Sequence, residues 1–353
     1  MFPIKIVYAS HFSDKIYYIQ PKNMSRVGVV GAGISGLACA RELLKDGISC
    51  VVFEELEHVG GRAETVTLHE CTFDTGLQFY TPRGMSIEKT LLKELPNEDL
   101  YSIQKPICLL DGYRVLPGNP ERNKQPRYCY LKGAQEFPKL LSENLEIRTS
   151  TKVESISKTK NGFRINDEDF DVIILTPPAP ECNKILTTFG HERNLSRIKY
   201  RPCISVVLGY SERFVEDWKY FGLLSVERNS PVLWLGVETA KCPHRTPEGH
   251  TVFVAQLSPL FSRQYMHKTD EVIISAVLLL LRKIYGAKAD APAWTYVRRW
   301  VYSQPETVSL FDNINFEGSR VLIVGDGTLA GRAENAFETG IMAARRALKL
   351  LLP

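Results

Sequence analysis

The stretch RVGVVGAGISGLACA, residues 26 to 40, carries three glycines between an apolar run and a helix-forming one. Arg26 to Gly31 reads as a short buried strand. Gly31, Gly33 and Gly36 then supply a tight turn, a close backbone approach and close packing of a helix on that strand. The following helix is predicted over Ile34 to Asp46 and stops at Gly47, a residue type suited to a helix C-cap. Its first turn, with Ile34 and Ser35, aims a positive helix end at a pyrophosphate. A second strand, ISCVVFEE, ends on Glu54 and Glu55. That places the Glu54 carboxylate about 20 residues beyond the glycines, where it can accept hydrogen bonds from both ribose hydroxyls of an adenosine. Strand, helix, second strand and acidic end stand in register, so the turn is read as a dinucleotide cradle.

The 353 residues suggest two domains, and 44% hydrophobic with 24% charged residues suits a globular chain with a sizeable core. A formal charge of +4 is too slight to imply nucleic acid. The eight cysteines are scattered, with no CxxC pair and no His/Cys metal spacing; they read as thiols in a reducing, cytoplasmic compartment, and no metal is expected. The apolar run VIISAVLLLL, residues 272 to 281, is too short to span a bilayer and follows Asp270, so a core-facing helix is expected there. Residues 1 to 24 precede the nucleotide strand and contain no apolar run of signal-peptide length. They are expected to be an extension without regular structure, with organelle targeting as a weaker alternative.

After Glu54 the chain continues EELEHVGGRAET, and Gly60-Gly61-Arg62 comes six residues beyond the acid. A domain that binds NAD has no need of this element; in flavoproteins a glycine pair brings backbone close to the cofactor diphosphate, with the arginine beside it. Next comes FDTGLQFYTPR, residues 73 to 83, where Asp74 and Thr75 can fix a turn, Gly76 lets backbone approach an aromatic ring edge, and Gln78 faces the same ring. The second half of a long dinucleotide site is expected near the C-terminus. There Arg320 to Val324 reads as a buried strand and Gly325-Asp326-Gly327 as a turn whose carboxylate can bond ribityl or ribose hydroxyls. A long helix begins near Ala333 and Glu334, its N-terminus suited to the pyrimidine edge of a flavin.

Between these ends, LEIRTSTKVESI (145 to 156) alternates as a strand would. GFRINDEDFDVIILTPPAPE gives a hairpin and then an apolar strand ending at Thr176-Pro177-Pro178. Val153 is a candidate for backbone contact with adenine, and equally a plain core valine. The expected organisation is an α/β, Rossmann-like FAD-binding domain of residues 25–85, 138–182 and 301–353, with a second α+β substrate domain of residues 86–137 and 183–300. The latter carries a mixed or antiparallel sheet that roofs the flavin, with Trp234, Trp300 and Tyr302 as candidates for lining its cavity.

The order of GAGISG, EELEHVGGR, FDTGLQFYT, LTPPAPE and VGDGTLAGRAENAFETG resembles the flavin amine oxidase superfamily, of the glutathione-reductase-like fold. Within it, SPVLWLGVETAKCPHR, RRWVYSQPE and the closing GDGTLAGRAENAFETGIMAARRAL resemble the renalases of the bacterial type. The resemblance covers residues 25 to 353. It implies FAD as cofactor and hydride transfer to flavin N5 from misreduced (2- or 6-dihydro) isomers of NAD(P), with reoxidation by O2 giving NAD(P)+ and H2O2. It implies no protein nucleophile or general base, and Gln78, Trp234 and Tyr302 as the residues shaping the reacting face. Two departures stand out: Asn335 replaces the usual glycine, and Leu56 stands where many relatives carry an arginine. An oxidase of a small amine or polyamine is the alternative, for which the usual lysine near flavin N5 is not found in or near RRWVYSQPE. A non-catalytic flavin-binding protein is the second alternative.

Overall fold

The computed structural model describes residues 25 to 351 except 83, 84 and 228; the extension of residues 1 to 24 lies outside the described residues. Val27, Val29 and Val30 are β-branched and buried on both faces of Arg26–Val30, the signature of a central parallel strand. That strand sits in the middle of a five-stranded parallel sheet, ordered Val321–Ile323, Val172–Leu175, Arg26–Val30, Ser49–Phe53, Glu146–Arg148. The helix Ile34–Lys45 crosses over between the first two strands in chain order. Gly47 follows it at φ +73°, as its capping role requires. The closing helix Ala333–Leu351 packs on the same side, with Phe337, Ile341 and Ala344 in one core with Leu37, Ala38 and Leu43. Gly36 is obligatory at the helix start, since a Cβ there would lie 2.1 Å from the Gly31 carbonyl oxygen.

The stretch 145 to 156 forms a shorter strand than its alternation suggests. Only Glu146–Arg148 joins the ladder. Ser150 then turns at φ +50°, and the Ser150 and Thr151 amides donate to the carbonyls of Leu56 and Glu54. The local hydrogen-bond demand at the end of the neighbouring strand captures this segment, so residues 151 to 154 become wall of a cavity instead of strand.

The second sheet has seven strands, ordered Trp294–Pro305, Tyr200–Tyr210, Thr251–Leu257, Val232–Val237, Gly222–Ser225, Ile107–Asp111, Arg114–Leu116. It is mixed: all neighbours are antiparallel except Gly222–Ser225 with Ile107–Asp111. The strand Trp294–Pro305 crosses the expected division between residues 300 and 301 and stays in this sheet to its end. One face packs on the helix Asp270–Tyr285, which buries Ile273, Val277, Leu280 and Leu281 while Val272 and Leu279 point to solvent. Cross-strand register puts Arg298, Ser205, Gln256 and Trp234 in one row on the opposite face. That row meets the segment Asp74–Gln78, where Ser205 Oγ and Trp300 Nε1 donate to Thr75 O and Gln256 Nε2 donates to Gly76 O. Among the described residues no helix is long and apolar enough to cross a membrane.

Candidate cofactor and active site

The parallel strands end at a cavity of about 570 Å³, with the strand Trp294–Pro305 as its far wall. This is where open α/β sheets bind ligands, beyond the carboxyl ends of the strands. Of the residues singled out in the sequence, Gly31, Gly33, Glu54, Glu55, Gly61, Arg62, Val153 and Tyr302 line it together. Ile34, Ser35 and Gly36 form the first turn of the crossover helix directly after Gly33, and that helix start carries no capping side chain and no acidic residue. Its free amides are therefore available to an anion.

Glu54 is buried, with Oε2 accepting from the Ala32 amide at 2.7 Å and Oε1 from the Leu56 amide at 3.0 Å. Each carboxylate oxygen keeps a further lone pair for a hydroxyl group. Leu56, in place of an arginine, contributes its amide to this anchor and its side chain to the cavity edge.

Arg62 reaches across the cavity to the C-terminal half of the site. It makes a bidentate pair with Asp326, both bonds 2.8 Å, and donates to Ser303 O at 2.9 Å. Burial alone would lower the Arg62 pKa; the Asp326 carboxylate outweighs it and raises the guanidinium instead. Asp326 thus spends one lone pair on each oxygen holding Arg62, and Tyr200 Oη donates to Oδ1 at 3.3 Å. Gly325 lies behind it, its amide donating to Thr339 Oγ1. Ala333 begins the closing helix, and Glu334 beside it is buried, accepting from the Thr81 amide at 2.8 Å. This bond ties the helix start to the FDTGLQFYT segment.

Tyr302 and Trp300 sit on the cavity wall, whereas Gln78 and Trp234 lie deeper, at the junction of the Asp74–Gln78 segment with the roof sheet. Gln78 donates from Nε2 to Asp74 O at 2.7 Å. Arg298 lies over the Trp300 ring at 4.5 Å and pairs with Glu64 at 2.9 Å, so the Trp300 indole is held from its face and through its N–H.

A charge cluster that the sequence reading did not single out clamps this junction. Asp74 Oδ2 accepts from Lys241 Nζ at 2.9 Å and Arg245 Nη1 at 2.6 Å; Glu238 pairs with the same two cations at 2.5 and 3.1 Å. All four side chains are excluded from solvent. Burial would raise the Asp74 carboxyl, but Arg245 and Lys241, with the Ala134 amide, hold it well below the usual carboxylate range; in Glu238 burial prevails and the carboxyl is shifted up. The run VETAKCPHR shows these charges at helical spacing, which looks like a solvated helix face until the fold buries it.

The cavity fits an extended dinucleotide. A Cβ built on Gly33 would enter open space, the helix start lacks a cap, and the Glu54 carboxylate is held facing the same space. Fold and site together define an FAD-dependent oxidoreductase, a Rossmann-type sheet roofed by a mixed sheet. A family model described as flavin containing amine oxidoreductase matches residues 119–348, and one described as an NAD(P)-binding Rossmann-like domain matches residues 29–95. The chain belongs to the flavin containing amine oxidoreductase family, and its cofactor is FAD. It is similar to renalase of Mus musculus, 24% identical over 309 residues, covering 80% of this chain and 85% of the relative. Among solved structures it resembles cyclohexylamine oxidase from Brevibacterium oxydans IH-35A, with TM-score 0.72 and 15% identity over 93% of this chain and 100% of that one. It also resembles putrescine oxidase bound to putrescine, with TM-score 0.69 and 14% identity over 92% and 99% of the two chains.

Proposed function

We propose that the protein is an oxidase of misreduced nicotinamide dinucleotides, taking hydride from 2- or 6-dihydro isomers of NAD(P). The helix start after Gly33, the Glu54 carboxylate and the Arg62–Asp326 pair would hold FAD, which would supply the two-electron acceptor for this hydride and the route of its electrons to O2, so that the products would be NAD(P)+ and H2O2. The observation that carries this reading is the character of the roof wall. It presents Arg298, Trp300 and Tyr302, and among the described residues no lysine lines that side; Lys152 and Lys184 line the cavity beside Val153 and Ile185, at the Glu54 end. A dihydropyridine already carries a transferable hydride, so it needs alignment and no base.

The residues of this chain supply that alignment. Trp300 is locked by its bond to Thr75 O and by Arg298, giving a rigid aromatic wall at low entropic cost. Tyr302 extends the wall, its ring 6.0 Å from Tyr200. Gln78 and Gln256 fix the carbonyls of Asp74 and Gly76, so the segment opposite the wall holds its shape. The similarity to a renalase across most of both chains supports the dinucleotide reading. The likeness in fold to cyclohexylamine and putrescine oxidases keeps the amine reading as the second one. Incubation in air with borohydride-reduced NAD mixtures tests the proposal: NAD+ and H2O2 should appear in equal amounts. H2O2 from amines, with none from the dinucleotides, would replace it with the amine reading.

A further inference from the structure

Arg298 and Arg299 follow one another on the strand Trp294–Pro305, and alternation sends their side chains to opposite faces of the sheet. Arg299 is engaged on the helix side: it donates to Met266 O at 3.1 Å and Lys268 O at 2.8 Å and pairs with Asp270 at 2.7 Å. Arg298 stands on the cavity wall with its side chain 34% exposed. Its guanidinium lies 4.5 Å over the Trp300 ring, and its Nη2 pairs with Glu64 Oε1 at 2.9 Å. The other Glu64 oxygen accepts from Thr75 Oγ1 at 2.6 Å. The ion pair therefore rests on one carboxylate oxygen, and most of the five guanidinium N–H groups remain for a ligand.

The charges of the cavity are sorted along its length. Glu55, Glu154 and Glu181 lie at the Glu54 end, where burial beside Glu55 raises the Glu181 carboxyl. Lys152 and Lys184 stand among these carboxylates, Lys152 at 3.6 Å from Glu154. Arg62 is committed to Asp326 through both terminal nitrogens and to Ser303 O. At the aromatic wall, Arg298 is thus the cation with donors to give. An anionic group that enters beside Trp300 meets an attractive charge, whereas an alkylammonium group meets a like charge there and carboxylates at the opposite end.

We propose that Arg298 is a specificity-determining residue whose guanidinium binds the diphosphate of a dinucleotide substrate lying along the wall of Trp300 and Tyr302. This rests on the reading of the substrate as a nicotinamide dinucleotide, in which one ribose separates the reacting ring from the diphosphate. The planar fork of arginine matches paired phosphate oxygens, and Trp300 and Glu64 hold that fork in place before the substrate arrives. The same charge selects against amines.

Two variants and two ligands test it. Arg298→Met combined with Glu64→Gln removes the cation without leaving a buried carboxylate unpaired, and Arg298→Lys keeps the charge but loses the fork. The ligands are NAD+ and nicotinamide riboside, which has the same ring and ribose and no phosphate; their dissociation constants are read from the visible spectrum of the FAD-loaded protein. The double variant should bind NAD+ about tenfold to a hundredfold more weakly, the effect of a lost charge-assisted bond, with the riboside within about twofold of wild type and FAD retained. Arg298→Lys should fall between the two. The wild-type NAD+ constant should also rise with salt, and that dependence should be weaker in the double variant. NAD+ binding within about twofold of wild type in the double variant, an equal loss for both ligands, or loss of FAD in place of NAD+ would each overturn the assignment. If dinucleotides bleach the flavin of the wild type and of the double variant equally well at half-saturating concentration, the substrate reading stands and the role of Arg298 alone fails; if amines bleach the wild type and no dinucleotide does, both fall.

Discussion

Replacing Lys241 with Met removes one cation from a sealed group of four charges. In the native protein Asp74 and Glu238 share Lys241 and Arg245, and the group is neutral overall. In the variant Arg245 alone faces two carboxylates, one bond of 2.6 Å to Asp74 and one of 3.1 Å to Glu238, and a net negative charge is left where no solvent reaches. Breaking a buried pair by removing one partner costs about 3 to 5 kcal/mol. For a chain of this size that corresponds to a fall in Tm of roughly 4 to 7 °C. Glu238 is the carboxylate already shifted up by burial, so it is the one that takes up a proton to relieve the charge. The penalty should therefore shrink as pH falls toward the carboxylate range and grow as pH rises. Adding Glu238→Gln to Lys241→Met restores neutrality around Asp74 and Arg245 and should recover a large part of the lost stability. Thermal unfolding of the two variants at several pH values measures all of this. A cost below about 1 kcal/mol for Lys241→Met at pH 8, or no recovery in the double variant, would refute the reasoning.

Other expectations follow from single contacts. Glu54→Gln turns an NH2 toward one of the two amides now held by the carboxylate and takes away the charge proposed to bind ribose, so FAD should dissociate about tenfold to a hundredfold more readily, read by fluorescence of released flavin. Gly36→Ala drives a methyl against the Gly31 carbonyl at 2.1 Å, and the purified variant should lose bound FAD and melt earlier; a yellow variant with native Tm would contradict the packing described. His191 is stacked on Phe189 at 5.4 Å, and burial, with Arg193 and Lys158, lowers its pKa from 6.5 to about 4. A base lowered in the folded state contributes stability above its unfolded pKa that is lost as pH falls toward the folded one. His191→Phe should flatten the decline of Tm between pH 6.5 and about 4, and an unchanged slope would rule out this role.

The nucleotide half of the molecule is legible because its rules are local. Val27 to Val30, the glycines, the helix to Lys45 and Glu54 follow one another in the chain, and the backbone obeys the same spacing. The closing segment is readable for the same reason, with the helix starting at Ala333 as its pattern predicts. What escaped depends on register between distant strands. Arg298, Ser205, Gln256 and Trp234 come from four strands of one sheet, and only their pairing puts them in a row. Tyr302 is written in the sequence as an aromatic in a strand, yet its neighbour Trp300, bonded to Thr75, is the more firmly held wall. Likewise the charges of VETAKCPHR announce a polar helix, and their burial follows from Asp74 arriving from a hairpin 167 residues away in the chain. The strand expected through residues 145 to 156 failed because Ser150 and Thr151 satisfy carbonyls that the sequence does not advertise.

Anaerobic titration of the purified, FAD-loaded protein, followed at the flavin absorbance band, separates a dinucleotide substrate from an amine. The titrants are borohydride-reduced NAD mixtures containing 2- and 6-dihydro isomers, ordinary 4-dihydro NADH, and a panel of amines including putrescine. Rapid bleaching is expected from the 2- and 6-dihydro isomers, slow bleaching from ordinary NADH, whose hydride sits at a different ring position, and none from amines. Bleaching by amines alone, or equal bleaching by all dihydro forms of NAD, would contradict this expectation.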